Sequence, residues 1–177
     1  MSQPEVLAGC AAITAIIQLS GFAAAFALQT ETFYDILGGV NFIVIAGYSA
    51  LTFQNEDHPW ASDSRKLIST IIFCCSRGWL LVFLAWRAHD RKGDARFDGV
   101  KDKFGQFLVF WVVQGIWVMC ISLPLILINS SHVWKPDPTQ GDLIAITGFA
   151  LGVLLEVRSQ SYHNQISWLV LGGAGWC

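Results

Sequence analysis

The sequence predicts an all-α fold, a polytopic transmembrane helix bundle of about five spans. Three observations lead there. Hydrophobic residues make up 54% of the 177 and charged residues 14%, with a mean hydropathy of +0.50, whereas soluble domains carry about 25% charged residues. Eight Trp and twelve Phe add more apolar surface than so short a chain can hide from water. Apolar runs of about 20 residues, the length that crosses a bilayer, recur along the chain. The net charge of −2 discriminates little, because the charges are clustered rather than spread.

The first span is expected at Val6–Gln29, a run without charge. No Lys or Arg precedes Arg65, and the run is longer than a signal peptide's apolar region of about 7–15 residues, so it should stay in the membrane. "LAGC" at Leu7–Cys10 mimics a lipoprotein cleavage site, but no apolar segment precedes it. The second span, Ile36–Phe53, opens with Gly38 and Gly39, which let a neighbouring helix come close. The third, Leu67–Trp86, carries Arg77 near its middle. The fourth, Phe104–Asn129, holds Pro124 near one end, where a kink is tolerable if neighbours satisfy the freed carbonyl. The fifth, Leu143–Val157, is short, ends beside Glu156 and carries Gly148 and Gly152 as a GxxxG pair.

Residues 1–157 are therefore expected to form the bundle, and 158–177 an aberrant or unstructured tail. "RSQSYHNQIS" is polar and aperiodic, and "WLVLGGAGWC" is too short and Gly-rich to span. The glycines of "GGAG" have no following helix N-terminus to receive a phosphate.

Orientation follows from Lys and Arg in the short loops. The loop 87–103 holds six of the eleven, residues 54–66 two, 130–142 one and 30–35 none. The 87–103 loop should face the cytoplasm and the N-terminus the outside or lumen. Five cysteines form no zinc or disulfide spacing, and no metal is expected.

Few residues could carry chemistry. A central Arg costs about 2.5–3.5 kcal/mol to insert, so Arg77 should face the bundle interior or a wet cavity. It would meet an anionic ligand group there, or form a structural pair, with Glu156 as one candidate. Glu156 could equally mark the end of its span. Trp111, Gln114 and Trp117 recur at three-residue steps, and a buried Gln is interhelical glue or a ligand contact. In the charged loop, Asp90, Asp94, Asp98 and Asp102 nearly cancel the basic residues, as in a solvated, self-paired hairpin.

"DARFD" at Asp94–Asp98 followed by "FGQFLVFWVVQGIWVMCISLPLILIN" at Phe104–Asn129 resembles the steroid 5α-reductase-like membrane proteins, in particular a poorly characterised reductase-like subgroup. "FYDILGGVNF" at Phe33–Phe42 and "GFALGVLLEV" at Gly148–Val157 are similar to further motifs of that subgroup, in the same order. Gly93 sits directly before Asp94 here, one residue later than in the family pattern. The resemblance implies NADPH-dependent reduction of an activated carbon–carbon double bond in a sterol or other lipid-like enone, in a membrane such as the endoplasmic reticulum. Hydride would come from the cofactor, and polar groups would stabilise the forming enolate. Arg77, Gln114, Asp94 and Arg96 are the polar residues placed to take part. After Val157 the family's C-terminal motifs, which supply most NADPH contacts, are not matched. The bundle is thus expected to be incomplete relative to the family and to lack most of the cofactor site, as a truncated product would. The other reading is a non-enzymatic small membrane protein, an assembly or interaction partner or a degenerate family member, recognising a helix through Gly148 and Gly152. A channel fits less well, since no span repeats a polar face.

Overall fold

A computed structural model describes residues 2–52, 62–90, 95–131, 137 and 139–173. The described residues form helices α1 (Gln3–Ala27), α2 (Phe33–Thr52), α3 (Ser64–Asp90), α4 (Phe104–Asn129) and α5 (Gln140–Gly173), with a 3-10 turn at Ala95–Phe97 and no strand among them. All five helices include a stretch long and apolar enough to cross a membrane. Together with the composition, this makes the chain an integral membrane protein.

Polar residues set the helix ends. The Ser2 N–H donates to the Glu5 carboxylate at 2.7 Å, closing the first turn of α1. The Asp63 Oδ1 accepts from the backbone N–H groups of Arg65 and Lys66, at 3.1 and 3.2 Å, and caps α3. At α5, Thr139 Oγ1 accepts the Asp142 N–H while the Asp142 Oδ2 accepts the Thr139 N–H at 2.9 Å. These caps extend α3 and α5 upstream of the apolar runs that announce them.

The helix α4 coincides with the expected span, and Pro124 is accommodated inside it. The expected fifth span at 143–157 differs from the observed helix. Where an unstructured tail is expected from residue 158, α5 continues to Gly173. Hydropathy marks where a helix can leave a membrane, not where it must stop. Between Arg158 and Leu171 there is neither Gly nor Pro to end it.

The chain divides into two compact units, Met1–Asp137 and Pro138–Cys177. In the first, α1 packs on α2 and α4, and α2 packs on α3 and α4. Its core has two parts. Val6, Cys10, Phe42, Ile45, Phe73, Val118 and Ile126 fill one end, and Phe22, Ala25, Phe97, Phe107 and Trp111 fill the other. Helices in lipid gain little from burying apolar surface against one another, so close packing and hydrogen bonds must hold them. Both are present. Thr14 Oγ1 donates to Asn41 Oδ1 at 3.3 Å, joining α1 to α2. Thr70 Oγ1 donates to Asn129 Oδ1 at 3.2 Å and Asn129 Nδ2 to Ser49 Oγ at 3.0 Å, tying α3, α4 and α2. Outward-facing Ile16, Leu19, Val109, Val112 and Ile116 are exposed, as lipid-facing side chains are. The second unit contributes α5, on which Leu143, Ile144, Leu151 and Leu155 are also exposed apolar residues. Among the described residues of that unit, a Cβ added at Gly148 or Gly152 would meet nothing within 4 Å.

Candidate functional site

The glycine pair at the start of α2 places the site. A Cβ on Gly39 would sit 2.7 Å from Leu81 Cδ1 and 3.4 Å from the Leu81 Cα, so α3 crosses at backbone distance. A Cβ on Gly38 would collide with the Gln114 amide of α4. With no side chain in the way, Gln114 Nε2 donates to the Tyr34 carbonyl oxygen at 2.9 Å. This bond ties α4 to α2, as interhelical glue does.

Around this junction α2, α3 and α4 leave a cavity of about 370 Å³, within the range of small-molecule sites. Phe42, Leu80, Leu84, Val113 and Trp117 provide apolar walls, while Tyr34, Asp35, Arg96 and Gln114 provide polar groups. Gln114 Oε1 is buried and has no hydrogen-bond partner among the described residues. A buried acceptor without a donor costs about 1–3 kcal/mol, which a ligand or water donor would relieve.

The polar end of the cavity joins two separated stretches of the chain. Arg96 Nη2 lies 3.1 and 3.3 Å from the two carboxylate oxygens of Asp35. The Arg96 guanidinium also lies over the rings of Phe97, at 5.5 Å, and Tyr34, at 6.0 Å. The ion pair is half open to solvent, with side chains 49% and 23% exposed, so it contributes at most about 1 kcal/mol. Phe97 does more to fix this segment. It is 1% exposed and packs edge-on against Tyr34 and Phe107 and at a tilt against Phe110. Tyr34 is held in turn by its hydroxyl, which donates to the Phe110 carbonyl at 3.0 Å. Lys101 pairs with Glu31 beside it. The charged connection between α3 and α4 is therefore docked on the bundle from Arg96 onward and is not merely a solvated hairpin.

Of the four residues singled out from the sequence, the structure brings Gln114 and Arg96 into one cavity. Asp94 lies outside the described residues. Arg77 stands apart from the cavity lining. Its guanidinium lies over the rings of Phe42, at 5.4 Å, and Phe73, at 5.7 Å, and its Nε is buried without a hydrogen-bond partner among the described residues. Phe42 is also a cavity wall, so Arg77 touches the site through one ring. Replacing Arg77 with Leu should change the unfolding free energy by less than about 2 kcal/mol. Two desolvated cation–π contacts contribute about 2 kcal/mol each, and removing an Arg from apolar surroundings returns about 2.5–3.5 kcal/mol, so the two nearly offset. Equilibrium unfolding in detergent checks this, and a loss above about 2 kcal/mol would make Arg77 a structural keystone instead.

Sequence reasoning did not single out Tyr34 or Asp35 as individual site residues, although "FYD" was visible beside the glycine pair. The signal that finds them is their pairing with Arg96 and Gln114, and it exists only in three dimensions.

The profile of a family described as "Protein of unknown function (DUF1295)" matches residues 21–167. No curated protein and no solved structure matches the chain.

Proposed function

The chain belongs to the DUF1295 family, and from that membership we propose that it is a steroid 5α-reductase-like membrane protein that binds a lipid-like molecule between α2, α3 and α4. The matched region contains all four stretches that carry the resemblance. One observation carries the reading. Separate motifs, "FYDILGG", "ARF" and the Gln114 helix, converge on one cavity with apolar walls and a polar end. Such a lining suits a molecule with an apolar body and an oxygen function at one end, such as a sterol or another lipid enone. The excess of Lys and Arg in 87–103 supports a cytoplasmic position for that polar end, with the N-terminus outside or in the lumen of a membrane such as the endoplasmic reticulum.

The reaction that the resemblance implies is NADPH-dependent reduction of the lipid's conjugated double bond. The described lining of this cavity does not fit NADPH. Its phosphate groups call for several cations, and Arg96, the one cation among the described residues lining the cavity, is engaged by Asp35. Lipid binding is the part of the reading that the cavity supports. The same observation favours a second reading, a non-enzymatic lipid-binding or partner protein of the same architecture.

Equilibrium binding of tritiated progesterone, an enone steroid, to the purified chain in lipid nanodiscs tests the proposal. Saturable binding is expected, weakened about tenfold by Gln114→Leu, as loss of one buried polar contact of about 1–3 kcal/mol implies. Absence of saturable binding overturns it. NADPH oxidation in the same preparation separates the two readings, since only the reductase consumes cofactor when the steroid is added.

A further inference from the structure

A second cavity, of about 380 Å³, opens between α1 and α4 on the other side of α4 from the first. Thr14, Gln18, Leu19, Trp111, Gly115 and Ile116 are among its lining residues, and Gln18 is its most polar group. Gln18 is 3% exposed, and neither its Nε2 nor its Oε1 has a hydrogen-bond partner among the described residues. Trp111 lines the facing α4 wall, and its indole Nε1 is likewise buried and unpartnered among them. Gly115 makes room for this arrangement, since a Cβ there would lie 3.3 Å from Gln18 Cγ.

An amide with donor and acceptor both unmet inside a membrane is costly, because lipid tails offer no partner. The buried Asn129 amide, by contrast, is satisfied directly, by Ser49 and Thr70. Gln18 differs in that it lines an open groove. The complement of its two functions is a group that accepts and donates at once. A hydroxyl does both. The rest of the groove is apolar, with Leu19 and Ile116 exposed at its rim. Gln18 lies about 4.5 Å along the axis from the midpoint of α1, taking a 1.5 Å rise per residue. A charged headgroup does not reach that depth cheaply.

We propose that the α1–α4 groove is a lipid site that binds an uncharged lipid alcohol, with its hydroxyl held by the Gln18 amide. The proposal does not depend on the α2–α3–α4 cavity. The two are separable because α1 lines only the groove.

The test is photolabelling of the full chain in nanodiscs with two diazirine probes, a cholesterol analogue and a dioleoylglycerol analogue, followed by peptide mapping. Saturable label on the α1 segment Ala11–Leu19 is expected from at least one, and which one labels tells a sterol from an acylglycerol. Gln18→Leu, which replaces an unpaired amide by an apolar group and should not unfold the bundle, is expected to reduce that label about tenfold. The methyl ether of the labelling lipid, which cannot donate, should compete about tenfold less well than the free alcohol. Label on α1 that is insensitive to Gln18→Leu, or equal competition by alcohol and ether, overturns the proposal. So does the absence of saturable α1 label from both probes, which would mean that the amide holds water only. Label on α2 and α3 alone would support the cavity of the proposed function while rejecting the groove.

Discussion

Substitution of Gly38 by Ala is expected to destabilise the first unit by about 1–3 kcal/mol, the usual cost of forcing atoms into a filled space, and to abolish saturable steroid binding. The added Cβ falls on the Gln114 amide, so Gln114 must leave its position and surrender its bond to the Tyr34 carbonyl. The carbonyl and the displaced amide then lie in apolar surroundings without each other. Trimming the obstacle should recover stability. In the Gly38→Ala, Gln114→Ala double variant the Cβ has room, and the two changes should couple by about 1 kcal/mol or more. Equilibrium unfolding of the two single variants and the double variant in detergent measures the coupling. Simple additivity would mean that Gly38 does not serve to admit Gln114.

Phe97→Ala should have an effect of similar or larger size, about 3–5 kcal/mol, the cost of deleting a fully buried aromatic ring. Three rings lose their packing partner, and the guanidinium of Arg96 loses one of the two faces it lies on. The segment from Arg96 to Lys103 should then detach from the bundle, and trypsin should cut after Lys101 and Lys103 much faster than in the wild type. Asp35→Asn is the informative contrast. It breaks only a half-exposed ion pair, so the change should stay below about 1 kcal/mol and proteolysis should barely accelerate. Equal protease sensitivity in the two variants would show that charge, and not the Phe97 ring, docks the loop.

The contrast between these residues shows how far the sequence could be read. Span positions follow from length and hydropathy, and α4 coincides with its run because its flanks turn polar at both ends. Gly38 and Gly39 announced a close helix approach, since few other reasons place adjacent glycines at the start of a span. Partners across helices were not legible. Asp35 and Arg96 lie 61 residues apart, and no periodicity within either segment points to the other. Arg77 posed a different difficulty. Its position demanded a compensating environment, and a carboxylate was the obvious candidate, whereas the structure supplies the faces of Phe42 and Phe73. Aromatic faces compensate a cation without leaving a charge pattern to detect. In the 87–103 loop the count of charges drew attention away from Phe97, the one described side chain there that is buried in the core. Gln18 was hidden by the run around it, because a single amide barely lowers the hydropathy of α1.

The most direct measurement is where an enone steroid sits on the chain. Photolabelling in nanodiscs with a diazirine analogue of progesterone, competed by unlabelled steroid, should place saturable label on Tyr34–Phe42, Leu80–Leu84 and Val113–Trp117 together, and Gly38→Ala should remove it. Label that cannot be competed, or that spreads over the exposed apolar faces without favouring those three segments, would contradict a lipid site between α2, α3 and α4.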